Sequence, residues 1–364
     1  MSQRPLIEGD SAPGDPPVSG RAIDETMPFD AAVVMGTEIL HKATRGLLPY
    51  VAITTDPPWR LVGTRMGEPP ADVRFVAGTE LDIATLESLR RSLPDTTRCV
   101  VGVGSGIAMD AAKYVAWQCG LPLELIPTVT ATDAPFSTTI VTREGGVYRS
   151  ISCPINPRRI LIDLAVVRLA PPRLNRAGVG DKLCAHTALH DWRLATMRGI
   201  DRPFDATAEF AEELVRTLEQ RAEDFAAPTG DGLRLLMELH AREGALLRAF
   251  GHGRFVSGSE HLLVQVLESH GRSRFLHGEG VCLATITMAW VQRNEPERIA
   301  RIARRTGIRF RPDELGVSSD ALKTALRALP DYARRMGRSY TVANELDPAA
   351  LDAEDWGELW SLLS

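Results

Sequence analysis

The segment 100–113 reads VVGVGSGIAMDAAK and places three glycines between an apolar run and a helix-forming run. Glycine lets backbone N–H groups approach an anion closely and permits positive φ, and the N-terminus of the following helix carries partial positive charge. The segment therefore predicts a strand, a tight turn and a helix at a phosphate-binding site. Gly102, Gly104 and Gly106 match neither the GxGxxG fingerprint nor a GxxxxGK loop. A plain strand-to-helix turn explains the segment equally well.

Composition excludes several classes of protein. The 364 residues predict two domains that each bury a core, and 44% hydrophobic with 24% charged residues is typical of a globular chain. Basic residues number 42 against 47 acidic ones, which gives a net charge of −5 and no indication of a nucleic-acid surface. Because of this charge, we expect no nucleic-acid partner. Because no apolar run is long enough to span a bilayer, we also expect no membrane insertion.

Cysteine usage and the N-terminal sequence indicate a compartment. The five cysteines are odd in number and lack CxxC spacing, as expected in a reducing, cytoplasmic environment. The N-terminus lacks the apolar core of a signal peptide. Its proline, glycine and aspartate content predicts a flexible arm over residues 1 to about 26.

Two patterns of apolar residues divide the rest of the chain. From residue 31 to about 165, short β-branched runs alternate with helical stretches, and the runs 138–141 and 147–151 flank a glycine-containing turn. These patterns predict a parallel sheet with an inserted hairpin. Beyond residue 172 helical spacing dominates. We predict a Rossmann-like α/β nucleotide-binding domain over 27–168 and an all-α metal-binding domain over 169–364, with chemistry in the cleft between them.

Three side chains beyond the sheet could meet in that cleft. Asp181 follows Gly-Val-Gly as the expected N-cap of a helix, whereas His261 and His277 are expected in the first turns of two further helices. Ser257 and Glu260 have capping-box spacing before His261. Capping or an ordinary structural histidine would explain each residue singly. Together, a carboxylate and two histidines could hold a catalytic zinc or iron ion with a position left for substrate.

Five ordered segments resemble the metal-dependent polyol dehydrogenases, a family that includes glycerol dehydrogenase, iron-containing alcohol dehydrogenases and sn-glycerol-1-phosphate dehydrogenase. The segments are GVGSGIAMDAAK at 102, IPTVTATDAPFS at 126, AGVGD at 177, SGSEHLL at 257 and LHGEGV at 276. SGSEH and HTALHDW, at 186–192, resemble the glycerol-1-phosphate branch, while TATDAP is closer to glycerol dehydrogenase. The resemblance covers residues 30 to 300 and implies a dehydroquinate synthase-like fold and a homo-oligomer.

The resemblance also implies a metal site and a cofactor groove. Asp181, His261 and His277 match the metal ligands. Some iron enzymes add a histidine where this chain has Ala185, which favours zinc over iron or nickel. The residues that match the NAD(P)(H) groove are Gly102, Gly104, Ser105, Gly106, Asp110, Lys113, Thr128 and Thr132. Asp56 matches the carboxylate that bonds the ribose, and because it would repel a 2′-phosphate, NAD(H) is expected over NADP(H).

Substrate contacts and proton transfer follow from the same resemblance. Asp133 matches a residue that faces substrate hydroxyls. Arg143, Arg149 and Lys113 could bind a substrate phosphate, although surface solvation explains them equally well. Many relatives carry a second histidine four residues after the first histidine ligand, where this chain has Gln265. Because glutamine cannot titrate, we predict that His270 takes its place.

The resulting functional prediction is a metal-dependent NAD(P)(H) oxidoreductase that interconverts a polyol or glycerol phosphate and its ketone, most like sn-glycerol-1-phosphate dehydrogenase. One alternative is a lyase similar to dehydroquinate synthase and related sugar-phosphate cyclases, which end their reaction with NAD unchanged. A second alternative is a non-catalytic NAD-binding protein, for which Gln265 is the best support. The sequence leaves the identity of the small-molecule substrate open.

Overall fold

The structure is a computed structural model that describes residues 32–77, 80–144, 147–227, 230–271, 275–337, 339–351 and 354–364. Of residues 147, 270 and 271 it describes the backbone alone. The predicted flexible arm and the two glycines of the predicted hairpin turn lie outside the described residues. In the part of the chain described, no helix has the length and apolar character needed to cross a membrane.

The first half of the described chain is built on strands. They are β1 (Ala32–Gly36), β2 (Tyr50–Thr54), β3 (Asp72–Phe75), β4 (Cys99–Gly104), β5 (Leu123–Pro127), β6 (Thr139–Glu144), β7 (Val147–Ser152) and β8 (Arg159–Asp163). Among the described residues, six of them form a parallel sheet in the order β1-β8-β5-β4-β2-β3, while β6 and β7 form an antiparallel hairpin. Strands β2, β4 and β5 are buried throughout, which explains their nearly continuous apolar sequences. The predicted sheet and hairpin are confirmed.

Helices accompany the sheet and make up the rest of the chain. Those beside the sheet are α1 (Leu40–Ala43), α2 (Asp56–Val62), α3 (Ile83–Arg91), α4 (Gly106–Cys119) and α5 (Leu164–Leu169). Those that follow are α6 (Pro172–Leu183), α7 (Ala185–Met197), α8 (Ala206–Gln220), α9 (Ala222–Ala226), α10 (Gly230–Phe250), α11 (Ser259–Gly271), α12 (His277–Val291), α13 (Pro296–Thr306), α14 (Ser319–Met336), α15 (Pro348–Leu351) and α16 (Trp356–Leu362). Short 3-10 segments lie at Gly63–Arg65, Asp313–Leu315 and Val342–Asn344. The predicted α/β part followed by a helical part is confirmed.

Helix α10 joins the two halves. Its Leu233 and Met237 pack into the core on one face of the sheet, whereas its Leu236 and Leu239 belong to the core of the helical half. The carboxyl ends of the parallel strands all meet at one edge of the sheet, and α10 passes close to that edge where Gly244 approaches Phe136. A cleft therefore opens between the sheet edge and the helices.

Candidate active site

The turn after β4 has the geometry that the glycine cluster predicts. Gly104 ends the strand at φ +138°, a conformation that favours glycine, and Ser105 is the exposed, extended N-cap of α4. The backbone N–H of Thr128 donates to the carbonyl of Gly104 at 2.9 Å and fixes the turn to the end of β5. Ser105, Gly106 and Thr132 line the cleft. The turn thus presents the start of a 14-residue helix to the open cleft.

Three of the predicted cofactor residues make packing or polar contacts within the protein, and of these three Asp110 also lines the cleft. Gly102 lies inside β4, where an added Cβ would come within 2.7 Å of the Ala112 Cβ, so its role is to let α4 pack on the sheet. Asp110 accepts the N–H of Val141 at 3.0 Å and pairs with Lys113 at 2.8 Å. Lys113 is 1% exposed and donates to the carbonyl of Thr139 at 2.6 Å. Asp110 and Lys113 therefore anchor the hairpin, and Lys113 cannot reach a phosphate in the cleft.

Helix α4 begins at Gly106, directly after the extended Ser105. It ends at Cys119, where Gly120 takes the left-handed conformation at φ 63° that a C-terminal glycine cap requires.

Asp56 lies at the same sheet edge, because β2 and β4 are parallel neighbours. It is the first residue of α2, and its carboxylate pairs with the Arg60 guanidinium at 2.7 Å on the surface. This places Asp56 at the carboxyl end of β2, beside the strand that leads into the glycine turn, and its contact with a ribose stays a prediction.

Asp181, His261 and His277 come together on the other side of the cleft. Their ligand atoms lie within 4.8 Å of one another. The Asp181 Oδ1 atom is 3.4 Å from His277 Nε2 and 4.0 Å from His261 Nε2. One carboxylate and two imidazoles at this spacing are a donor set that suits a divalent zinc or iron ion.

Asp181 reaches this cluster from a position that the sequence analysis did not predict. It lies near the C-terminal end of α6 and is not the N-cap of a helix. Helix α6 continues through Gly178 and Gly180 because their missing side chains leave room for neighbouring backbone. An added Cβ on Gly180 would lie 2.0 Å from the carbonyl oxygen of Gly278, next to His277. Gly180 thereby lets α6 approach the start of α12, which brings Asp181 close to His277.

Glu260 orients the His261 ring. Its carboxylate is buried, lies 2.8 Å from His261 Nδ1, and accepts the Thr187 hydroxyl at 2.8 Å and the Gly258 N–H at 2.6 Å. With the imidazole proton assigned to Nδ1, the Nε2 lone pair faces Asp181. Burial alone would raise the pKa of Glu260, but the hydrogen bond with His261 lowers it. Such a carboxylate partner fixes the tautomer of a metal-binding histidine.

The expected capping box before His261 has a different form. Helix α11 begins at Ser259, whose N–H donates at 2.7 Å to the buried carboxylate of Asp191 on α7. Asp191 also accepts the Val342 N–H at 2.8 Å. Burial, with a contribution from Glu260, raises the pKa of Asp191 to about 6. A distant carboxylate thus supplies the cap that the local sequence assigned to Ser257.

A buried lysine neutralises charge behind the ligand cluster. The Lys182 ammonium is fully buried, lies 3.4 Å from Asp181 Oδ2, and forms an ion pair with Glu243. Burial acts to lower the pKa of Lys182, but Glu243 and Asp181 raise it, so the side chain is a cation. Burial acts to raise the pKa of Asp181, but Lys182 and His277 hold it well below its usual range. Asp181 is therefore ionised and available as a ligand.

A thiol lies close to the cluster. Cys184 lies within the same 4.8 Å distance of Glu260 and His261. Its Sγ contacts the carbonyls of Asp181 at 3.0 Å and Val256 at 2.9 Å, and burial raises its pKa well above the usual value. Because the Cys184 Sγ is engaged with two backbone carbonyls, the set of Asp181 with two histidines is the better donor set.

Asp133, Gln265 and His270 were predicted to act on substrate. Asp133 lines the cleft and is close enough to raise the pKa of Lys182. Gln265 also lines it, one helical turn after His261, and its Oε1 accepts the Tyr332 hydroxyl at 3.1 Å. The backbone of His270 lies in the last turn of α11, and its side chain lies outside the described atoms. The role of His270 stays a prediction.

The cleft has a volume of about 880 Å³, and its walls come from both halves of the chain. The turn residues Ser105 and Gly106 line it together with Asp181, His261 and His277. The turn after β4 and the cluster of Asp181, His261 and His277 therefore line the same cleft.

Comparison with known proteins decides the family. Residues 41–171 match the family model described as iron-containing alcohol dehydrogenase. The chain is 34% identical over 263 residues to the glycerol-1-phosphate dehydrogenase [NAD(P)+] of Aeropyrum pernix, covering 71% of this chain and 72% of that one. The chain belongs to the iron-containing alcohol dehydrogenase family. The enzyme of the same name from Hyperthermus butylicus is 30% identical over 299 residues, covering 79% and 82% of the two chains.

Solved structures of iron-containing alcohol dehydrogenases share the fold. A probable glycerol dehydrogenase from Sinorhizobium meliloti 1021 superposes with a TM-score of 0.70 at 23% identity, covering 92% of this chain and 97% of that one. The predicted family and fold are thereby confirmed. These relatives are dehydrogenases, so the comparisons do not favour the cyclase or the non-catalytic alternative.

Proposed function

We propose that the chain is a glycerol-1-phosphate dehydrogenase, which reduces dihydroxyacetone phosphate with NADH and oxidises sn-glycerol 1-phosphate in the reverse direction. The observation that carries this proposal is the convergence of Asp181, His261 and His277 within 4.8 Å in the cleft that the glycine turn also lines. The substrate class is supported by similarity to the Aeropyrum pernix and Hyperthermus butylicus enzymes.

Asp181, His261 and His277 would hold a divalent cation, for which we propose zinc. The donor set fits, because Glu260 leaves the His261 Nε2 atom free to bind and Lys182 keeps Asp181 ionised. Ala185, four residues after Asp181, offers no fourth ligand. When bound, the cation supplies a positive charge that polarises the substrate oxygen.

The chain's own residues bind and orient the reactants. The turn of Gly104, Ser105 and Gly106 is proposed to hold the pyrophosphate, with Thr128 and Thr132 beside it, so that the nicotinamide extends toward the ligand cluster. Asp133 is proposed to accept a hydrogen bond from a substrate hydroxyl. Reduction transfers a hydride from NADH to the carbonyl carbon and a proton to its oxygen, and we propose His270 for the proton transfer because Gln265 cannot titrate.

Asp56 is the basis for proposing NADH as the preferred reductant. Its carboxylate is the first residue of α2 and, apart from its surface pair with Arg60, faces solvent at the sheet edge. A negative charge there would accept a ribose hydroxyl and repel a 2′-phosphate. Equal catalytic efficiency with NADH and NADPH would show this preference to be wrong.

The test follows NADH absorbance with zinc-loaded protein and a panel of dihydroxyacetone phosphate, dihydroxyacetone, glyceraldehyde and a longer ketose. We expect the highest kcat/KM with dihydroxyacetone phosphate, and no activity in Asp181→Ala. Asp331→Ala is the matched control, since Asp331 is an exposed aspartate on α14.

The outcomes separate the competing functions. Faster reduction of unphosphorylated dihydroxyacetone would favour a glycerol dehydrogenase. Absence of net NADH oxidation, in protein shown to bind both zinc and NADH, would contradict the proposed dehydrogenase activity and favour the alternative of a sugar-phosphate cyclase.

A further inference from the structure

Helix α11 carries a glutamine beside the ligand cluster. Gln265 lies four residues after His261, so the two side chains share one face of the helix, with Cβ atoms about 6 Å apart. Both residues line the cleft, and Gln265 is only 5% exposed. Its amide therefore belongs to the wall of the cleft next to His261.

A tyrosine from a neighbouring helix fixes the orientation of this amide. Tyr332 lies on α14, which packs against α11, and its hydroxyl donates to Gln265 Oε1 at 3.1 Å. Gln265 lines the cleft and Tyr332 does not, so the hydroxyl holds the amide from behind. With the amide oxygen assigned to this bond, the Nε2 group is the end that remains for a partner in the cleft.

The Nε2 group of Gln265 carries two N–H bonds and has no protein acceptor among the residues that the structure describes. The carboxylate three residues farther along α11, that of Glu268, accepts from the Arg143 guanidinium at 2.7 Å instead. A donor in a buried side chain is costly to leave without an acceptor. The amide is therefore available to an oxygen atom of a ligand in the cleft.

The proposed reaction creates such an oxygen next to the ligand cluster. When hydride reaches the carbonyl carbon, negative charge develops on the carbonyl oxygen, and a donor that is already oriented stabilises this charge without rearrangement. A neutral amide does so without adding positive charge beside Asp181, His261 and His277, where a cation is proposed to bind. Charge, position and orientation of Gln265 all suit a role at the reacting oxygen.

We propose that Gln265, oriented by Tyr332, donates a hydrogen bond to the reacting oxygen of the substrate and stabilises the negative charge that develops there. Tyr332 is a positioning residue, because it acts through the amide. Gln265 keeps both of its protons, so the proton that completes the reduction comes from another group, for which His270 is proposed above. The inference rests on the proposed function for the identity of the reaction.

The experiment measures steady-state and single-turnover reduction of dihydroxyacetone phosphate by the zinc-loaded wild type and four variants. In Gln265→Leu the rate of hydride transfer should fall at least about 20-fold, because an oriented donor to a developing oxyanion is lost. The KM for the ketone should rise by no more than about fivefold, because the donor binds the neutral carbonyl less strongly than the oxyanion. Tyr332→Phe should lose about threefold to tenfold in rate, since the amide remains but can rotate.

The remaining variants test whether donation itself matters. Gln265→Glu has the size of glutamine and can still accept the Tyr332 hydroxyl, but its carboxylate offers an acceptor to the reacting oxygen. It should therefore be slower than Gln265→Leu. Gln220→Leu is the matched control, because Gln220 is exposed at the end of α8 and does not line the cleft. Its rate should match the wild type, and Gln265→Leu and Tyr332→Phe should keep the zinc affinity of the wild type in competition with a chelator.

Four results would overturn the proposal. They are an unchanged rate in Gln265→Leu, a loss confined to KM, a faster Gln265→Glu than Gln265→Leu, and a loss of zinc affinity that parallels the loss of rate. The last result would indicate that Gln265 only supports the ligands. If Gln265→Leu fails to fold, as judged by thermal unfolding, Gln265→Glu and Tyr332→Phe carry the comparison, and an unchanged rate in both would overturn the proposal.

A binding measurement keeps this inference separate from the proposed function. Dihydroxyacetone phosphate cannot react in zinc-loaded protein that holds NAD+, because ketone and cofactor are both oxidised. Calorimetry should show the ketone binding about fivefold more weakly to Gln265→Leu, as expected for the loss of one neutral hydrogen bond. If the wild type fails to reduce dihydroxyacetone phosphate, the proposed function is wrong, but this weaker binding would still support the hydrogen bond. Equal or absent binding by both proteins would refute it.

Discussion

The tripeptide Gly-Val-Gly occurs twice near the cleft, at residues 102–104 and 178–180, and the two copies have different physical roles. In the first copy, Gly104 adopts φ +138° where β4 turns into α4. In the second copy, both glycines are helical residues inside α6. Gly104 of the first copy needs a backbone conformation, whereas both glycines of the second copy, like Gly102, need the absence of a side chain.

The neighbours of the second copy come from distant parts of the chain. An added Cβ on Gly178 would lie 1.9 Å from the Thr130 carbonyl oxygen, and one on Gly180 would lie 2.0 Å from the Gly278 carbonyl oxygen. Because these contacts are tertiary, identical local sequences cannot reveal which role a glycine has. Three substitutions at or beside these glycines test the difference between the two copies.

The largest effect is expected from Gly180→Ala. The new methyl group would push α6 away from the start of α12 and separate Asp181 from His277. We expect a loss of about 2 kcal/mol in the free energy of unfolding and a loss of about 100-fold in kcat/KM, because the ligands no longer converge. Urea unfolding and zinc competition with a chromophoric chelator would measure both.

Gly230→Ala is the control for this substitution, since Gly230 begins α10 with open space around its Cβ position. Its stability and zinc affinity should match the wild type. Unchanged zinc affinity in Gly180→Ala would contradict the role assigned to the second copy.

A smaller and more selective effect is expected from Gly104→Ala. Alanine is strained at φ +138°, at a cost of about 1 to 3 kcal/mol, and its methyl would approach Ala108 Cβ at 3.1 Å. The turn should shift, and NADH should bind about tenfold more weakly, a change of about 1.4 kcal/mol. Fluorescence titration of NADH would report this change. Zinc affinity should not change, and a parallel loss of zinc would show that the two glycine copies are not independent.

The smallest effect concerns His240, which packs beside Gly178 and contacts the Thr130 carbonyl oxygen at 3.0 Å. Burial, reinforced by Lys182, lowers the pKa of His240 to about 3. Below pH 6.5 His240 binds a proton in the unfolded chain but stays neutral in the folded chain. The free energy of unfolding is therefore highest above that pH and falls as the pH decreases. Between pH 7 and 5.5 this histidine alone should cost about 1 kcal/mol.

His240→Gln removes the titrating group and keeps a hydrogen-bond donor. Its urea unfolding free energy should therefore decline less steeply between pH 7 and 5.5 than that of the wild type. Identical slopes for the two proteins would mean that His240 is protonated in the folded state or solvated.

Much of the fold could be predicted because its signals are local. Apolar β-branched runs mark the buried strands, and Gly120 ends α4 as a glycine C-cap does. The bounds of helix α6 could not be predicted, because glycines usually weaken helices. Gly178 and Gly180 are needed because the carbonyls of Thr130 and Gly278 pack against them, and those carbonyls are distant in sequence. Helix α13 was not predicted, because charged residues dominate it and its buried stripe, Ile299 to Ala303, is narrow.

The candidate site could be predicted only in part. The donor types and the resemblance pointed to Asp181, His261 and His277, which the structure brings together. The same resemblance placed Lys113 in the cofactor groove, although its charge is used inside the core. Glu243 carries no local signal, because its ion pair with Lys182 depends on α10 passing between the two halves. Lys182 had only its position beside Asp181 to suggest a role.

The contact between Gly180 and Gly278 is accompanied by a second link between the same helices. Glu279, fully buried in the first turn of α12, forms a two-pronged ion pair with Arg173 at the start of α6, at 2.6 and 2.7 Å. These two links bring Asp181 and His277 together through contacts between protein atoms. A cation that binds there as proposed would meet ligands that helix packing has already placed side by side, so its binding would require little ordering of the chain.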